Sequence, residues 1–179
     1  MTDQVADIRF NALRNALYHE ARSCWLNFLD RLFNCLVILG GTATVSDIFG
    51  KSVPFTWFAL GITVIGTLQL VFNYAIRAAE HNFLRSRYYD LLAAVEENTS
   101  PEDCDVAHWN GILAKICADE PPQLRALDAI CYNRACDALG LGHHIGNLKP
   151  WHSLLRHILP FSATHFKSMK RHITPQQTA

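Results

Sequence analysis

From Val53 to Ile76 the chain reads VPFTWFALGITVIGTLQLVFNYAI, with no Asp, Glu, Lys, Arg or His. At about 1.5 Å rise per residue, an apolar run of this length crosses the roughly 30 Å hydrocarbon core of a bilayer. Trp57 and Tyr74 stand near its ends, where interfacial aromatics belong. The competing reading, the core helix of a soluble all-α domain, rarely needs so long an uncharged stretch. A second apolar run, Leu32 to Val45, lies between Asp30-Arg31 and Asp47. With Phe28, Leu29, Ile48 and Phe49 it reaches a marginal spanning length, and a stronger neighbouring helix eases its insertion. The pattern therefore predicts a two-helix hairpin with spans at about 28–48 and 53–76, turned by Ser46–Ser52 with Gly50 as terminator and Pro54 in the first turn of the second helix.

Outside the spans the apolar spacing is helical. Val5, Ile8, Leu13, Leu17, Ala21, Cys24 and Phe28 recur at three- and four-residue steps and predict a helix over 5–27 that runs into the first span. Ala79, Phe83, Arg87, Leu91 and Val95 carry a second helix over 77–98. These two form a predicted antiparallel stalk. Thr99-Ser100-Pro101-Glu102-Asp103 starts a helix over 101–118, with Val106, Trp109, Leu113, Ile116 and Cys117 as its apolar face. Asp119-Glu120-Pro121-Pro122 is read as a second start, opening a helix over 121–139 that Gly140 ends. No segment alternates like a strand. The expected fold is an all-α integral membrane protein, a transmembrane hairpin extended into a cytoplasmic stalk with a small helical cap.

Charge orients the hairpin. Arg9, Arg14, Arg22 and Arg31 precede the first span and Arg77, Arg85 and Arg87 follow the second, against Lys51 alone in the turn. Both termini are thus expected in the cytoplasm, with the first span as its own insertion signal. The six cysteines then meet reducing conditions or lipid and are read as packing residues. The formal net charge of zero conceals an asymmetry: Asp90 to Gly142 holds ten acids against three bases, and from His143 onward there are no acids but six histidines with Lys149, Arg156, Lys167, Lys170 and Arg171. This divides the chain into a helical module, 1–142, and a basic His-rich tail, 143–179. Within the tail, 151–159 is expected as an interfacial helix, with Trp151, Arg156, Lys167, Lys170 and Arg171 at a membrane surface; docking on the cap or on an acidic neighbour is the alternative.

Catalytic chemistry is not legible. There is no phosphate-cradling glycine loop, nucleophile elbow or zincin motif. Cys131, Cys136, His143 and His144 have suitable zinc-ligand types, but their spacing matches no common module. Asp119-Glu120 is explained by helix-start chemistry better than as an acid–base pair. The expectation is a non-enzymatic chain with no metal, no cofactor and no nucleic-acid partner. Polar residues in the spans carry more weight. Asn34, Gln69 and Asn73 must find partners within the hairpin, in a neighbouring copy or in water. Gly40, Thr44, Gly61 and Gly66, with other small residues, permit close helix approach. Together these seven are the candidate pore or oligomer contacts, and the bilayer and further copies of the chain are the expected partners.

Four stretches in order carry a family likeness: Tyr18-His19-Glu20-Ala21-Arg22, then Ala79 to Leu91 (AEHNFLRSRYYDL), then Asp119-Glu120-Pro121-Pro122, then Ala126 to Asn133 (ALDAICYN). In this order around a two-span hairpin they resemble the SLATT superfamily of bacterial membrane proteins, over roughly residues 10 to 142. The resemblance implies an effector of bacterial conflict systems in which a nucleotide-signalling or sensor partner triggers pore formation in the inner membrane. It carries over no catalytic residues. The chain departs from the pattern in having no attached sensor domain, so its trigger is expected to be a separate partner or a ligand of the cap. The alternative is a membrane-anchored scaffold without a pore, of phage or prophage origin.

Overall fold

A computed structural model describes residues 2–41, 55–142, 144–145, 157 and 168–169. The architecture is helical: α1 (Thr2–Gly41), α2 (Phe55–Phe72), α3 (Tyr74–Glu97), α4 (Asp103–Ala118) and α5 (Arg125–Ala138). Two helical stretches, Asp3–Gly41 and Leu60–Glu97, are long and apolar enough to cross a membrane. The chain divides into two compact units, a hairpin unit of Arg22–His81 and a helical unit of Met1–Ala21 with Asn82–Ala179.

In the helical unit the core is made by Ile8, Ala12 and Ala16 of α1, Leu84, Tyr88, Leu91 and Val95 of α3, and Val106, Trp109 and Ile116 of α4. Burying each large side chain contributes about 1.5–3 kcal/mol. A smaller cluster sets Tyr18 against Leu127 and Cys131 of α5. The apolar faces differ from the predicted ones by about one position. On α3 the buried residues are Ala78, His81, Leu84, Tyr88, Leu91 and Val95, while Phe83 is 64% exposed. On α1 the buried stripe is Ile8, Ala12, Asn15, His19, Ser23 and Leu26, and Cys24 and Phe28 lie outside it.

Helix starts also differ from expectation. Glu102 caps α4 in a reciprocal box with Asp105, where a hydroxyl cap was expected. Helix α5 begins at Arg125 with Leu124 as its cap residue, so Asp119-Glu120-Pro121-Pro122 is a connecting loop and not a helix start. The reason is that both acids are committed to side-chain bonds with other helices. Gly140, at φ +66, ends α5 as predicted. One small element was not anticipated: His144–Ile145 pairs antiparallel with Ser168–Met169. Asn133 of α5 brackets Ile145, donating to its carbonyl at 3.2 Å and accepting its N–H at 2.7 Å. The predicted interfacial helix 151–159 lies outside the described residues but for His157.

Within the hairpin unit, α1 packs on α2 along a seam where Val37 faces Gly66 and Gly40 faces Ile62. A Cβ on Gly40 would fall 1.9 Å from Ile62 Cδ1, so any larger residue there requires the Ile62 side chain to move. Inside the predicted second span, 53–76, the helix is interrupted at Asn73, whose φ of +46 is left-handed. Asn tolerates this region better than most residues. Hydrogen bonds from Asn73 N–H to Gln69 O and from Arg77 N–H to Asn73 O, each 3.1 Å, bridge the interruption.

Candidate functional site

The hairpin unit carries a line of polar side chains on an apolar background. Ser23, Asn27, Asp30 and Asn34 recur along α1 at helical steps and share one edge of it. Ser23 Oγ donates to Ala78 O at 3.1 Å, and Asn27 Nδ2 donates to Ser23 Oγ at 3.4 Å. Farther along, Asn34 Nδ2 donates to Asp30 Oδ2 at 3.0 Å, and Gln69 Nε2 of α2 donates to Asn34 Oδ1 at 2.8 Å. The ladder spans about 16 Å of α1. It passes from buried Ser23, through half-buried Asn27 and Asp30, to exposed Asn34. The polar groups thus become more exposed as the surrounding sequence becomes more apolar.

Around them the outer surface is greasy. Ile38, Leu39, Leu70, Val71 and Ile76 are each more than half exposed, Leu70 at 77%. Water would penalise such a surface, while hydrocarbon accepts it and instead penalises the ladder.

Of the sequence-derived candidates, the structure brings Asn34 and Gln69 into direct contact. Gly40 and Gly66 lie on the seam inside the hairpin, whereas a Cβ on Gly61 would meet nothing within 4 Å. Asn73 is exposed at the helix interruption. Thr44, Trp151, Arg156, Lys167, Lys170 and Arg171 lie outside the described residues. Sequence reasoning missed Ser23, Asn27 and Asp30. The signal was their spacing of four, three and four residues, ending on Asn34, which a search for apolar periodicity discards.

The helical unit holds a second polar cluster, and this one is buried. His19 is fully buried, stacked on Tyr88 with ring centroids 5.7 Å apart. Glu120 Oε1 accepts from Tyr88 OH at 2.5 Å and lies 3.0 Å from His19 Nε2, while Gln123 Nε2 donates to Oε2 at 2.7 Å. Burial opposes ionisation of Glu120, but the hydrogen bonds from His19, Tyr88 and Gln123 outweigh it and hold its pKa below the ordinary value. Burial, with the bonds to Cys117 and Glu120, drives the Tyr88 phenol upward, so it stays a donor. Arg87 pairs with Asp119 at 2.5 Å, Leu124 N–H donates to Tyr18 OH at 2.9 Å, and Arg14 grips Asp128 through Nε at 2.7 Å. The α4–α5 loop is therefore fastened to α1 and α3 by polar bonds at several points.

Among the described residues no three or more His, Cys, Asp or Glu side chains are placed to share a metal ion. Cys131 and Cys136 are buried in α5, and burial pushes the Cys136 thiol up. Comparison of the chain with protein-family models, with curated proteins and with solved structures returned no match.

Proposed function

We propose that the chain is a non-enzymatic, multi-pass effector of the bacterial inner membrane, with both termini in the cytoplasm, whose hairpins assemble into a membrane-perturbing pore. The observation that carries this reading is the upper part of the polar ladder, half-buried Asp30 and Gln69 with exposed Asn34, on helices whose large exposed side chains are mostly apolar. In lipid those polar groups need either a protein partner or water. One hairpin encloses no aqueous path, but several copies with their ladders turned inward cover every polar edge and line a channel with it. The likeness to the SLATT superfamily supports the same function, and a cytosolic nucleotide-signalling or sensor protein is then the proposed trigger.

The test is membrane potential and potassium efflux within minutes of inducing the full chain in bacteria. Depolarisation by the wild-type chain, reduced in a variant carrying Asn34→Leu and Gln69→Leu at equal membrane abundance, is the expected result. Intact gradients at verified membrane expression would favour the membrane-anchored scaffold instead. Leak retained in full by the double variant would remove the ladder from the mechanism.

A further inference from the structure

If copies of the hairpin line an aqueous path with the ladder, the chemistry of the ladder sets what passes. We infer that the path is selective for cations over anions and that Asp30 is the residue that makes it so. The inference rests on the pore reading above and extends it to the class of ion conducted.

Asp30 is the ladder's single formal charge, the other members being Ser23, Asn27, Asn34 and Gln69. Its Oδ2 takes the hydrogen bond from Asn34, which leaves Oδ1 without a partner among the described residues. Gln69 likewise uses its amide nitrogen on Asn34 and leaves Oε1 without one. The ladder therefore holds a carboxylate oxygen and a neutral amide oxygen that no described group engages. Hard cations take such oxygens in place of water, and a ring of carboxylates raises local cation concentration while repelling anions.

The nearby cations do not cancel this charge along the ladder. Arg31 and Arg22 are offset from Asp30 by roughly 100° and 80° around α1, one on each side, by the helical repeat. Arg77, on α3 beside the Ala78 that anchors the Ser23 end, is exposed. Asp30 also stands near the predicted cytoplasmic end of the first span, so it occupies a mouth where a charged ring avoids the full cost of the bilayer centre.

The experiment is reversal-potential measurement on the purified full chain in planar bilayers across a potassium chloride gradient. The wild-type chain should reverse close to the potassium equilibrium potential. Asp30→Asn keeps the acceptor for Asn34 and removes only the charge, so its reversal potential should collapse towards zero. Asp30→Lys should carry it to the chloride side. Chloride preference in the wild-type chain, or an unchanged reversal potential in Asp30→Asn, would overturn the inference while leaving the pore standing. No current from the wild-type chain at verified insertion would overturn the pore reading and this inference with it.

Discussion

The two units handle polar side chains in opposite ways. In the helical unit His19, Tyr88 and Glu120 are sealed inside and satisfied by one another, and the surrounding core is ordinary aliphatic and aromatic packing. In the hairpin unit the polar groups become more exposed as the neighbouring surface becomes more apolar. The first arrangement suits a body surrounded by water. The second suits one surrounded by lipid that still requires a covered or hydrated polar edge.

The sharpest way to break this comparison is to damage each unit where its own solvent predicts harm. Trp109→Ala opens a cavity in the aqueous core and should cost about 3–5 kcal/mol, read as an early denaturant transition of the helical unit in detergent-solubilised protein. Val64 is half exposed on α2, so Val64→Asp would be nearly neutral if that face met water. If it meets lipid, insertion should become less favourable by about 3 kcal/mol, read as loss from the membrane fraction. A variant that stays fully membrane-bound would remove lipid from that face.

Glu120→Gln should cost about 1–3 kcal/mol, because a buried acceptor shared by His19 and Tyr88 is replaced by a weaker, partly mismatched group. It should also alter the acid response. A carboxylate whose folded pKa lies below its ordinary 4.5 contributes stability that is complete above 4.5 and is lost as pH falls through the lower folded value. Hydrogen exchange of α4 and α5 between neutral and strongly acid pH should therefore steepen in the wild-type chain and flatten in Glu120→Gln. The smallest contrast is between neighbouring glycines. Gly40→Ala forces Ile62 to move and should cost about 1–3 kcal/mol of hairpin packing, whereas Gly41→Ala, with nothing within 4 Å, should gain up to roughly 1 kcal/mol, both read by thermal unfolding in detergent.

What was legible in the sequence follows the same division. Long uncharged runs announce themselves, so two helices long and apolar enough to cross a membrane, and the end of α5 at Gly140, are legible in the sequence. Helix phase is harder to read. Phe83 is apolar and draws a periodicity search to its own face, yet it is exposed, and the buried stripes of α1 and α3 run through Asn15, His19, Ser23 and His81, which such a search counts as surface. His19 and Ser23 are tolerated inside because they bond to partners far away in sequence, His19 across 101 residues to Glu120 and Ser23 across 55 to Ala78 O. Asp119 and Glu120 mislead for the same reason: acids before prolines look like a helix start until the residues that receive them are known. Asn34 and Gln69 were recognisable as polar groups in apolar helices, but their mutual bond, and the ladder below it, depend on the hairpin's register.

Asn73 has a further consequence. A single left-handed residue shifts the angular phase of a helix, so the faces of α2 and α3 are related through that offset and not by one straight helical repeat. The exposed apolar pattern before residue 73 and the packing pattern after it therefore need not follow one common stripe.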